Sequence, residues 1–110
     1  MTSRTFEEHV AILAIESPSA LILDWWRRLD RTIDSYFEAL DERRPPAPRD
    51  EARIASDVRL GPWVANQVEK LRLERNRVAH EADLSLSRED AIRFARDAFS
   101  VLGIIMRFIP

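Results

Sequence analysis

Between residues 21 and 40 apolar side chains return at steps of three and four: Leu21, Ile22, Trp25, Trp26, Leu29, Ile33, Tyr36, Phe37 and Leu40. This spacing matches the α-helical period and draws one broad apolar face along a long helix. Such a face has to be covered by other elements, so the chain must build a packed bundle around it. Ser17 followed by Pro18 is a sound start for that helix, because the hydroxyl accepts from free N–H groups and proline is tolerated in the first turn. Asp24, Arg27, Arg28, Asp30, Arg31 and Asp34 occupy much of the remaining surface, with Asp24 and Arg28 spaced for a weak surface pair. Only two of the 110 residues are glycine, which favours long helices over a turn-rich β fold. The length suits a single domain, residues 1–110, that folds without covalent staples.

The rest of the chain reads as further helices. Residues 5–16 form a short apolar-rich segment with Phe6, Val10 and Leu13. Pro45, Pro46 and Pro48 remove donors and restrict their predecessors, so 42–49 is a connector. Local propensity allows a short helix at about 50–58. Gly61 permits a turn, and Pro62 opens a helix expected to reach about residue 79 with Val64, Val68, Leu71 and Val78 on one stripe. The last helix starts after Ser87, where Ser87-Arg88-Glu89-Asp90 resembles a capping box with Asp in place of Glu or Gln. Ala91, Ile92, Ala95, Ala98, Phe99, Leu102, Ile105, Met106 and Ile109 are expected to trace its buried face. The expected fold is all-α: an up-down bundle of three to four main helices with an additional short one.

Composition excludes several chemistries. There is no cysteine, so disulfides and thiolate metal sites are absent, and a cytoplasmic location is the expectation. Glu7 and Glu8 stand where a secretory leader needs an apolar core, and no stretch approaches the ~20 apolar residues of a membrane span. The chain is also compatible with being a regulatory piece of a longer protein. Seventeen basic against nineteen acidic residues leave a net charge of −2, which argues against broad attraction to nucleic acid and requires any RNA contact to be local. His9 and His80 are the two histidines; they form no metal-ligand spacing, and neither a phosphate-binding glycine loop nor a serine nucleophile motif is present, so no metal or cofactor is expected.

One position breaks the helical pattern. The stripe Val64, Val68, Leu71 next falls on Arg75, before Val78 resumes it. A buried guanidinium costs free energy unless it is paired or faces a polar cleft, and such breaks of the local rule often mark functional sites. Asn76 lies four residues before His80 and shares its face. Arg75 and His80, five residues apart, diverge by about 140° on a regular helix and converge only if the helix frays near His80. Arginine offers fixed charge and several donors to a phosphate, and histidine exchanges a proton near neutral pH. Together they suit phosphodiester cleavage, with Arg75 stabilising charge on the phosphoryl oxygens, His80 as general acid or base, and Asn76 orienting one of them. Lys70, Arg72 and Arg77 give this helix a basic end that could touch phosphates. The other account is structural: His80 placed against the helix dipole, and Arg75 reaching outward to pair with Glu74, Glu81 or Asp83. Trp25, Trp26 and Trp63 could stack bases, but at helical apolar spacing they read first as core or interface anchors.

The segment Leu71-Arg72-Leu73-Glu74-Arg75-Asn76-Arg77-Val78-Ala79-His80, a polar loop, and then Leu86-Ser87-Arg88-Glu89-Asp90-Ala91 opening a long apolar helix resembles the C-terminal half of HEPN domains and their R-N-x-x-x-H motif. Ser17 to Leu29 is similar to the first long helix of bacterial HEPN-like domains of unassigned function. The resemblance covers most of the chain from about Ser17 onward. It implies a helical bundle that forms homodimers and brings two motifs to one cleft. It further implies metal-independent RNA cleavage in toxin, phage-defence or RNA-processing systems, with Arg75 and His80 catalytic and Asn76 as the polar residue after the arginine. An antitoxin or a nucleotidyltransferase is the partner such toxins imply. Members silenced by adenylylation carry a tyrosine two residues after the histidine; Ala82 stands there in this chain, which puts that control in doubt. Other members keep the fold as non-catalytic nucleotide- or RNA-binding or dimerisation modules, the alternative expectation.

Overall fold

Three of the described helices start where a hydroxyl side chain accepts from a backbone N–H group that the first turn leaves open. The computed structural model describes residues 5–40, 59–80 and 86–109, the side chains at 13, 15 and 16 excepted. These residues form four helices, α1 (Phe6–Glu16), α2 (Pro18–Ala39), α3 (Pro62–His80) and α4 (Arg88–Arg107), with no strand among them. Ser17 Oγ accepts from the Ala20 N–H at 3.3 Å and Ser87 Oγ from the Asp90 N–H at 3.0 Å, so both expected caps form. A third cap lies beyond those expected: Thr5 Oγ1 accepts from the Glu8 N–H at 3.2 Å, while Glu8 Oε2 accepts from the Thr5 N–H at 3.3 Å. Thr5-Phe6-Glu7-Glu8 is thus a reciprocal capping box, the S/T-x-x-E signature in full. The short helix expected at 50–58 and the connector at 42–49 lie outside the described residues.

The fold is an all-α bundle built on α2 and α4, which share the most extensive interface. Helices α1 and α3 each pack against both of them and not against each other. Along α2, Leu21, Ile22, Trp25, Leu29, Ile33, Tyr36 and Phe37 are buried, with Trp26 and Leu40 partly so, as the apolar spacing requires. Val64, Ala65, Val68 and Leu71 face inward from α3. On α4 the buried set is Ala91, Phe94, Ala95, Ala98, Val101 and Ile105. This corrects the expected face: Phe94 and Val101 belong to it, whereas Phe99 and Met106 are 48% and 55% exposed. Phe99 and Met106 lie roughly 80–100° around the helix from the middle of the buried set, too far to reach between α2 and α3. Phe99 instead stacks on Phe6 at 4.3 Å, and both rings meet Trp25 edge-on, which ties α1 to the central pair. The Trp25 Nε1–H, sealed in this cluster, has no hydrogen-bond partner among the described residues.

Surface pairs add register more than stability. Arg28 Nε donates to Asp24 Oδ2 at 3.0 Å, the pair anticipated from spacing, and its guanidinium also lies 5.0 Å from the Trp25 ring centroid. Arg96 Nη2 donates to Glu7 Oε2 at 2.9 Å between α4 and α1, and this hydrogen bond, then the carboxylate's charge, pushes the Arg96 guanidinium above its usual range. Both groups are exposed, so salt screens the pair.

Gly61, ahead of α3, has φ of +86°, in the left-handed region. No atom lies within 4 Å of where a Cβ would stand, so a side chain there meets only the backbone's own preference. Gly61→Ala is therefore expected to lower stability by roughly 1–2 kcal/mol, the cost of holding an L-residue in that region. A urea unfolding midpoint equal to wild type would contradict this.

Candidate functional site

The motif residues sit on the last two turns of α3, which runs unbroken through His80. Arg75 continues the inward line of Val64, Val68 and Leu71 and is itself half-buried. Its guanidinium carbon lies 5.3 Å from the centroid of the Trp26 ring on α2. Its Nε is buried and has no hydrogen-bond partner among the described residues. Glu74, one of the carboxylates available to neutralise it, does not pair with it, and Glu81 and Asp83 lie outside the described residues. Attraction to the indole face recovers about 0.5–2 kcal/mol of the cost of burying the cation. It leaves the positive charge uncancelled.

His80 closes α3 and is exposed. Because helical geometry holds to this residue, Arg75 and His80 of one chain point about 140° apart around the axis. The fraying that would have let them converge does not occur. Asn76, half-buried, is about 40° from His80 and shares its side of the helix. The structure thus leaves His80 and Asn76 on one side of α3 and keeps Arg75 on the α2-facing seam.

The three basic residues expected at phosphates divide as well. Lys70 and Arg77, seven residues apart, share an exposed face, while Arg72 lies on another. Arg72 forks onto Glu69, with Nη2 to Oε1 at 2.9 Å and Nε to Oε2 at 3.3 Å. Lys70 Nζ is 3.9 Å from Asp97 Oδ2 on α4. Lys70 and Arg72 therefore each have a carboxylate beside them that a phosphate would have to displace. Trp63, Asn66, Lys70, Leu73, Arg77 and His80 recur every three or four residues as one exposed stripe, on which Trp63 and Leu73 are 51% and 50% exposed.

A cleft of about 180 Å³ opens beside the motif, lined by Ile22 of α2, Glu74, Arg77 and Val78 of α3, and Leu86, Asp90 and Arg93 around the start of α4. Its lining mixes both charges, and Arg93 and Asp90 already pair at 3.4 Å. Arg75 and His80 do not line it. Among the described residues no three histidine, aspartate or glutamate side chains gather as metal ligands, and no helix is long and apolar enough to cross a membrane.

The contact sequence reasoning missed is Trp26 with Arg75. The available signal was that Trp26 stands at the margin of the α2 stripe, where a large ring can reach a neighbouring helix while one edge stays wet. No family model matches the chain, and no curated protein or solved structure matches it significantly.

Proposed function

We propose that the chain is an HEPN-type domain that acts as a homodimer and cleaves single-stranded or looped RNA without metal, in a toxin or phage-defence setting. The observation that carries this reading is Arg75: a half-buried guanidinium on an otherwise apolar seam, with no carboxylate of the described residues neutralising it. A phosphodiester supplies the missing negative charge. The RNA brings its own nucleophile: the 2′-oxygen bonds to phosphorus, the bond to the 5′-oxygen breaks, and the products are a 2′,3′-cyclic phosphate and a 5′-hydroxyl. His80 takes the 2′-hydroxyl proton or delivers one to the leaving 5′-oxygen, water carrying the other proton, and Arg75 stabilises the charge that builds on the phosphoryl oxygens. Since the two side chains of one chain diverge, a working site pairs Arg75 of one copy with His80 of another. The exposed stripe with Trp63 and Leu73 beside His80 gives such an association apolar surface to bury. An antitoxin or nucleotidyltransferase partner belongs to this reading.

A second reading, a non-catalytic RNA-binding or dimerisation module that could be part of a longer protein, is favoured by two observations. Arg75 and His80 diverge within a chain, and Lys70 and Arg72 already have Asp97 and Glu69 beside them. Incubating the wild type with single-stranded RNA in EDTA, with mass by light scattering, separates the two. Cyclic-phosphate products from a dimer support the nuclease. A dimer that binds and does not cleave leaves the second reading, and a strict monomer counts against both.

A further inference from the structure

We propose that Trp26 is the positioning residue for Arg75: its indole face holds the guanidinium in place without cancelling the charge an anion must meet. The inference rests on the reading of Arg75 as the phosphate contact. Proteins usually hold a half-buried arginine with a carboxylate, which orients the fork and neutralises it together. Here the orienting group is an aromatic ring 5.3 Å from the guanidinium carbon. The ring is braced, because Trp26 is partly buried against the core and follows Trp25, whose side chain lies within it. Nε is buried without a hydrogen-bond partner, so no described group orients the fork through that atom. A ring quadrupole attracts the cation yet carries no net charge, so the arginine arrives at a phosphate already ordered and still fully positive. Ordering in advance spares part of the entropy that binding otherwise costs a long side chain.

Two measurements on the full chain test this. Affinity for a fluorescein-labelled single-stranded RNA oligonucleotide is measured by anisotropy for wild type, Arg75→Gln, Trp26→Leu and Trp26→Phe. In parallel, the arginine side-chain Nε–H resonances are recorded by NMR on nitrogen-labelled protein, the Arg75 signal being the one missing from Arg75→Gln. The Arg75 signal is expected upfield of the exposed arginines, through the ring current of Trp26, and slow to exchange because Nε is buried. Trp26→Leu keeps an apolar side chain but loses the quadrupole; it is expected to move that signal and to weaken RNA binding roughly fivefold, the factor about 1 kcal/mol of cation–π attraction supplies. Trp26→Phe should recover most of the affinity, which a purely space-filling role would not require. If Arg75→Gln loses binding while Trp26→Leu binds as the wild type does, the positioning role is overturned and the phosphate role of Arg75 stands. If Arg75→Gln binds RNA unchanged, the phosphate role fails and the positioning role with it.

Discussion

Replacing His80 with alanine is expected to lower RNA cleavage in EDTA by about 10²–10⁴-fold, the span that a general acid or base contributes. The effect should be confined to activity. His80 is exposed at the end of α3, and substitutions at such positions change stability by roughly 0.5 kcal/mol or less. A thermal melt therefore serves as the control. The divergence of Arg75 and His80 makes a sharper version possible. Equimolar Arg75→Gln and His80→Ala chains, unfolded and refolded together, form mixed dimers in about half the population, each with one intact composite site of two. Activity should then return to about a quarter of the wild-type level. If the pair works within a single chain, neither chain of a mixed dimer carries both groups, and the mixture stays as inactive as its parts. His80→Ala cleaving as fast as the wild type removes the imidazole from the chemistry altogether.

The second large effect concerns the core. Phe94 is fully buried on α4, within the helix that makes the broadest contact with α2. Phe94→Ala removes a ring that its neighbours cannot refill, at a cost of roughly 3–5 kcal/mol. Domains of this kind have about 5–15 kcal/mol to lose, so the variant should unfold at a much lower urea concentration, or not fold at physiological temperature. Phe99→Ala is the informative comparison. Phe99 is half-exposed and touches Phe6 and Trp25 at the edge of α1, so its loss should shift the midpoint far less. Equal destabilisation by the two would mean that the face of α4 described above is misplaced.

That pair of phenylalanines also marks how far the sequence could be read. On α2 the apolar residues crowd one face so heavily that the period alone locates the core, and every residue it named is buried or partly buried. On α4 apolar residues flank the core on both sides, so periodicity allows a rotated face. Only packing against α2 and α3 decides that Phe94 and Val101 go in while Phe99 turns out. The caps at Ser17 and Ser87 were legible because hydroxyl residues precede an apolar run. Thr5 carries the same signal, with a better partner in Glu8.

At the candidate site, the oddity of Arg75 was visible as a cation on an apolar stripe, but its companion was not. Trp26 is about fifty residues away in sequence, and nothing local to either helix records that they meet. Whether His80 would turn toward Arg75 depended on where α3 ends, the least legible property of a helix. Helix through His80 fixes the answer within one chain. The separate sides taken by Lys70, Arg72 and Arg77 were legible from spacing. That Asp97 would approach Lys70 from another helix was not.

Helices α1 and α3 lean on the same central pair without touching, which has an energetic corollary. Among the described residues a perturbation of one reaches the other through α2 and α4, so substitutions placed one on each should combine by simple addition. A protein arranged in this way is free to vary its amino-terminal helix while the residues around Arg75 stay under separate constraint.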